Sequence, residues 1–249
     1  MRVENSFIPV RGVGERTEQK LWEQGVWTWG DFDGTVPGPA PAERVESFVA
    51  TARERLDDAD ADFFGEALPA GCQWRLYENF REEACFLDIE TTGLDRHRND
   101  VTVVSCHQNG TTETFVRGRD LTGDRLARRL ADASLLVTFN GRRFDVPFLE
   151  DSFGLDVDLP HVDLMYPCRR LDLTGGLKKI ESEVGIGRDR PDLSGRDAVR
   201  LWHEYERGDD RALETLVSYN RDDTANLQQL LEVVSDRLHR EVFEPVARG

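Results

Sequence analysis

The sequence predicts an α/β protein: a mixed β-sheet flanked by helices, with a small N-terminal helical hairpin element ahead of it. Three observations carry this expectation. Short apolar runs with strand-like alternation cluster between residues 85 and 139. Two of them are separated by Gln108-Asn109-Gly110, whose Asn-Gly is a strong hairpin signal. Stretches of helical periodicity surround these runs and end in a long one from Arg211 to about Arg240. A meander of strands followed by helix, strand and further helices makes a mixed sheet with helices on its faces.

Taken in order, residues 1–33 read as a compact helical hairpin. Residues 34–41, GTVPGPAP, are a Pro/Gly linker that neither helix nor strand accommodates. From Pro41 to about Phe64 one connecting helix is expected, with Val45, Phe48, Val49, Ala52 and Leu56 along a single face. Residues up to 83 complete this linker region, with a short strand over Gln73 to Tyr77. The main domain spans 84–240. Its strands are expected at Cys85–Ile89, Val101–Cys106, Thr111–Val116 and Leu135–Phe139. Its helices are expected at Asp124–Ala133, Phe144–Phe153, Leu177–Val184, Asp197–Arg207 and the long C-terminal stretch.

The formal net charge of −16 comes from 48 acidic against 32 basic residues, and only three of the bases are lysines: Lys20, Lys178 and Lys179. The acids are spread along the whole chain and not gathered in a tail, which favours adaptation to a cytoplasm of high salt, a halophilic trait, over a surface for basic partners. At molar salt the Debye length shrinks to about 3 Å, and counterion release contributes less to phosphate binding. Acidity therefore leaves a nucleic-acid ligand open. No apolar run is long enough to span a membrane, and no leader-like segment opens the chain, so a cytoplasmic location is expected. The four cysteines lack metal-ligand spacing and are expected as buried thiols.

Asp88 and Glu90 are two apart in an apolar strand, so both side chains share one face while Leu87 and Ile89 take the other. Two adjacent carboxylates repel, and a divalent cation between them removes that cost. Thr91-Thr92-Gly93 then turns the chain away. In a chain this acidic the pair alone is weak evidence. A second block, Thr138 to Leu149, ends a buried strand, turns at Asn140-Gly141 and presents Asp145 at a helix start, where an ordinary N-terminal acid would also sit. In a third, Tyr219 and Asp223 are four apart on one helical face, close to the apolar stripe of Leu216, Leu227, Leu230 and Leu231.

These three blocks, D-x-E-T-T-G-L, N-x-x-x-F-D and Y-x-x-x-D in that order, resemble the DEDD superfamily of 3′–5′ exonucleases, which have a ribonuclease H-like fold. Tyr219 marks the tyrosine branch; the histidine branch carries His where Ser218 stands here. LDIETTGL, NGRRFDVPFL, GGLKKIESEVGI and YNRDDTANL look most like YprB-type ribonuclease H-like proteins, and the resemblance covers about residues 70–235. It implies hydrolysis of phosphodiester bonds of DNA or RNA at a single-stranded 3′ end, by two Mg²⁺ or Mn²⁺ ions roughly 3.5–4 Å apart. It implies that Asp88 bridges both ions, that Glu90 and Asp223 complete the water-activating site and that Asp145 holds the second ion. By the same resemblance Tyr219 orients the water, Leu94 lies against the terminal base with Thr91 beside it, and Asn140 braces its turn or touches substrate. Lys178 and Lys179 are candidate phosphate contacts, and Asp163 is a candidate supporting acid. A structure-selective endonuclease and a catalytically idle nucleic-acid-binding module are the alternatives; the presence of all four carboxylates and the tyrosine argues against the second.

Pro9 to Gly14 followed by Thr17 to Val26 resembles a helix-hairpin-helix element. That motif implies that backbone amides at Gly12 and Gly14 contact a phosphate oxygen without reading bases. Packing around Trp22, Trp27, Trp29 and Phe32 explains the same aromatics.

Overall fold

The computed structural model describes residues 1–37 and 41–244; residues 38–40 of the expected linker lie outside the described residues. Residues 1–33 hold one α-helix, α1 (Glu15–Glu23), between two short 3₁₀ turns at Val3–Asn5 and Trp29–Asp31. The expected two-helix hairpin is thus replaced by a single helix. After Gly25, at φ +86°, the chain packs its aromatics individually, and Trp29 donates its indole N–H to the Ser6 carbonyl at 2.8 Å.

The single helix expected over 41–64 is two: α2 (Ala42–Asp57) and α3 (Ala61–Ala67). The break lies in the acid run. Ala59 takes φ +53°, and Asp60 caps α3 by accepting the Phe63 amide at 3.0 Å while pairing with Arg55. The strand expected over Gln73–Tyr77 is instead part of a 3₁₀ helix, Ala70–Leu76, that runs into the short α4 (Tyr77–Phe80). Its residues are buried on more than one side, which a 3₁₀ turn permits and a two-sided strand pattern hides.

The reason for that turn is Arg75. Its side chain is fully buried and pairs at 2.9 Å with Glu18 of α1, itself 1% exposed. Glu18 also accepts the Phe7 and Ile8 amides at 2.7 and 3.2 Å and the Ser6 hydroxyl at 3.1 Å. One carboxylate therefore ties the N-terminal loop, α1 and the 3₁₀ segment together.

The sheet runs β3-β2-β1-β4-β5, with β1 (Ala84–Thr91), β2 (Val101–Gln108), β3 (Thr111–Val116), β4 (Leu135–Thr138) and β5 (His161–Asp163). β1 is antiparallel to β2 and parallel to β4, and β5 is parallel to β4, so β1 lies at the centre of the mixed sheet. Three-residue β5 and the helix after it, α7 (Met165–Arg170), were not anticipated; neither is long enough to show a period. The other helices are α5 (Gly123–Leu130), α6 (Asp145–Phe153), α8 (Leu177–Val184), α9 (Gly195–Glu206) and α10 (Asp210–Val242). Cys85, Leu87 and Ile89 pack against Leu126 of α5 and Phe148 and Leu149 of α6. Phe86, on the opposite face, joins Leu227, Leu230 and Leu231 of α10 in a core that continues into Phe7, Trp22 and Val45. The N-terminal segment and the sheet thus share one buried cluster. Among the described residues no helix is long and apolar enough to cross a membrane.

Removing one partner of a buried ion pair strands the other charge, at a cost of about 3–5 kcal/mol. Glu18→Ala is therefore expected to lower the unfolding free energy in urea by about that amount; a loss under ~1 kcal/mol would show that the pair does not hold the N-terminal segment.

Candidate metal and catalytic site

Asp88 and Glu90 leave β1 on the face that α10 covers. Their strand ends at an irregularity in the β1–β2 register between Glu90 and Thr91. The following loop is tightly tied: the Thr91 hydroxyl donates to the Gly93 carbonyl at 2.7 Å, and the Thr92 amide to the Asp100 carbonyl at 2.9 Å. A Cβ on Gly93 would lie 2.5 Å from the Asn99 side-chain oxygen, so a larger residue there would have to displace the Asn99 side chain that helps close the loop. Leu94, at the loop tip, is 87% exposed, the most exposed large apolar side chain among the described residues.

Asp145 reaches the site from β4. After Thr138 the chain turns through Asn140 at φ +64°, and Gly141 lies so close to Thr138 that any Cβ there would collide with its hydroxyl. Asp163 of β5 fixes the turn: its carboxylate accepts the amides of Asn140 (2.7 Å), Arg142 (3.2 Å) and Met165 (3.1 Å). Asp163 is thus a structural acid of the loop that leads to Asp145, and Asn140 serves the turn through its backbone. Asp145 is buried at the first residue of α6.

From α10, Tyr219 and Asp223 both point inward and are buried. Asn220, one residue on from Tyr219, donates to Asp88 Oδ2 at 2.7 Å. Sequence reasoning missed this contact, although Asn220 lies three residues before Asp223 and so shares its face. Oxygen atoms of Asp88, Glu90 and Asp223 lie within 4.8 Å of one another. Asp145 stands outside that trio, yet its charge acts on both Asp88 and Glu90.

Two cations border the trio. Lys178 of α8 lies 5.3 Å from the centre of the Tyr219 ring. Lys179 turns away, donating to the Thr174 carbonyl at 3.0 Å, so the two candidate lysines separate. Arg188 pairs with Asp223 at 2.5 Å and with Glu181; neither Arg188 nor Glu181 was singled out by the sequence. Gly12 and Gly14 shape the entry to α1, Gly12 at φ +98°, and take no part in the hydrogen bonds and ion pairs of the carboxylate site.

Burial dominates the electrostatics. It pushes Asp88 well above the usual carboxylate range, with Asp223, Glu90 and Asp145 adding repulsion and Asn220 opposing it. Glu90 is raised for the same first reason, then by Asp223 and Asp145. Burial lifts Asp145 to about 7, opposed by its own amide and that of Ile89 and reinforced by Asp163. Asp223 rises to about 6 through burial, with Arg188 pulling it back. The Tyr219 phenol is pushed up by burial and by the negative charges around it. The donor set is hard, anionic and self-repelling, and it fits a divalent cation of the Mg²⁺ or Mn²⁺ type.

Carboxyls that bind protons more tightly when folded than unfolded, where they titrate near pH 4, lose the folded state stability as pH rises. The loss begins near pH 4 and is complete once pH passes the raised values, about 6 to 7 for Asp223 and Asp145. A bound cation reverses the penalty. The gain in Tm on adding Mn²⁺ is therefore expected to grow between pH 5 and pH 8, and Asp88→Asn is expected to raise the metal-free Tm at pH 8. A gain independent of pH in a thermal-shift series would contradict this electrostatic account.

No curated protein matches the chain at a significant level. Among solved structures, NrnC of Brucella melitensis bound to pGG is 25% identical, with a TM-score of 0.50 over 69% of this chain and 80% of that one. The apo form of a nuclease is 25% identical, with a TM-score of 0.48 over 67% and 79%. Brucella melitensis NrnC with bound Mg²⁺ is 22% identical, with a TM-score of 0.45 over 69% and 81%. Residues 85–235, from β1 through most of α10 and well over half of the chain, match the model of the RNase H superfamily, and the protein belongs to that superfamily.

Proposed function

We propose that this protein is a metal-dependent nuclease of the DEDD type, tyrosine branch, that removes nucleotides from the 3′ end of single-stranded DNA or RNA. The observation that carries the reading is the meeting of Asp88, Glu90 and Asp223, from two distant segments, within 4.8 Å. Three carboxylates gathered so closely, with Arg188 the one cation paired directly to them among the described residues, are costly, and a structural role alone gives no reason to gather them. The likeness to NrnC bound to pGG supports a nucleic-acid ligand.

In this reading Asp88, Glu90, Asp145 and Asp223 would hold a pair of divalent cations. When bound, the pair supplies Lewis-acid activation of water and neutralises charge at the phosphodiester. The chain's own residues do the rest. Asn220 fixes the orientation of Asp88 by its 2.7 Å hydrogen bond. The Tyr219 hydroxyl, on the same helix face as Asp223, would orient the attacking water. Leu94 offers an exposed apolar surface to the terminal base from the tip of the loop that follows β1. Lys178, half-buried above Tyr219, is placed to meet a phosphate on the same side.

A 5′-labelled single strand incubated with the protein and Mn²⁺ in high salt is expected to yield a ladder of shortening products; a single internal product would indicate endonucleolytic cutting. Asp223→Asn is expected to reduce the rate to background with the fold intact. Tyr219→Phe is expected to lower kcat on the order of 10²-fold, the scale of one proton-handling group. Cleavage at the wild-type rate by either variant would remove its residue from the site.

A further inference from the structure

We infer that Arg188 is a positioning residue for Asp223, clamped in turn by Glu181, and that this relay sets how Asp223 meets a divalent cation. The inference rests on the metal-site reading above and assigns a role to a loop that reading does not use.

The loop after α8 is built to hold Arg188 inward. α8 stops at Gly185, whose φ is +85°, and the Ile186 amide closes back on the Glu181 carbonyl at 2.8 Å. The Gly187 carbonyl then accepts from the Asn226 side chain at 3.2 Å. Asn226 is three residues beyond Asp223 on α10, so the loop is fastened to the helix turn that carries the candidate ligand. Arg188 follows at once, its side chain only 7% exposed.

Its guanidinium divides its donors between two acids. Nε bonds Glu181, which is fully buried, and Nη1 bonds Asp223 Oδ1 at 2.5 Å. The planar fork of arginine serves two carboxylates at a fixed angle, which a single ammonium cannot reproduce. With Oδ1 held, Asp223 cannot rotate freely, and the direction in which its carboxylate faces Asp88 and Glu90 is fixed. Glu181 matters because it anchors the arginine from the far side: a guanidinium bonded only to Asp223 would swing with it. Partners of this kind behind a metal ligand typically contribute 10–100-fold in affinity or activity.

The test is calorimetric titration of the full chain with Mn²⁺ at pH 8, comparing wild type, Arg188→Lys, Arg188→Gln and Glu181→Gln. Thermal unfolding in EDTA establishes that each variant is folded. Arg188→Lys and Arg188→Gln are expected to bind Mn²⁺ about 10–100-fold more weakly. Glu181→Gln, which keeps an acceptor but loses the charge, is expected to weaken binding in the same direction by less. Raising Mn²⁺ should restore cleavage in Arg188→Lys, a rescue that a purely structural defect would not show. Folded Arg188→Lys with wild-type or tighter Mn²⁺ affinity overturns the inference; tighter binding would make Arg188 a competing charge. If both Arg188 variants fail to fold, wild-type affinity in folded Glu181→Gln overturns it instead. A wild-type chain that binds no Mn²⁺ would bring down the metal-site reading itself, whereas wild-type binding with an unaffected Arg188→Lys removes the relay alone.

Discussion

The architecture depends on the packing of α10 across the face of β1. Phe86 meets Leu227, Leu230 and Leu231 on one stretch of that contact, and Leu216 and Tyr219 meet Val103 on another. Asp88, Glu90, Asn220 and Asp223 lie between these two apolar patches. The carboxylates repel one another, and the hydrogen bond from Asn220 to Asp88 and the pairing of Arg188 with Asp223 offset only part of that repulsion. Apolar burial on both sides supplies the clamp, at roughly 25 cal/mol per Å² removed from water. The site is therefore strained in its charges and rigid in its frame, which is the condition for a preformed cation site.

A second layer of polar contacts aims the acids within that frame. Asn220 holds Asp88, Arg188 holds Asp223, and Asp163 holds the turn that delivers Asp145. Each works by occupying part of a carboxylate or a set of backbone amides, so the placement of these three acids is decided by residues from other elements. Glu18 plays the same organising part at the other end of the molecule, where one buried acid gathers three neighbouring groups of the N-terminal loop and an arginine.

What the sequence disclosed follows from this division. Asp88, Glu90, Tyr219 and Asp223 were legible because strand alternation and helical spacing are local rules, and the central strands were legible for the same reason. Asn220 was within reach of those rules, since it shares a face with Asp223. The Glu181–Arg188 and Glu18–Arg75 pairs were not, because an ion pair between distant segments leaves no periodic trace. The strand expected over Gln73–Tyr77 failed on the same ground: Arg75 turns inward to a partner 57 residues away, and that contact overrides local propensity. The helix break at Asp58–Asp60 was a different matter. An acid run reads as solvated helix surface, yet an aspartate is also among the best helix caps, and here Asp60 acts as one.

The order of the carboxylates along the chain has a bearing on biosynthesis. Asp88 and Glu90 leave the ribosome first, Asp145 next and Asp223 last, on the helix that must fold back over β1 to complete the group. A nascent chain that has made its whole sheet still lacks the last carboxylate and the helix that buries the others. In the proposed reading, the cation site comes into being only once α10 has been made, so a nascent polypeptide short of that helix carries no assembled hydrolytic centre beside the messenger RNA that encodes it.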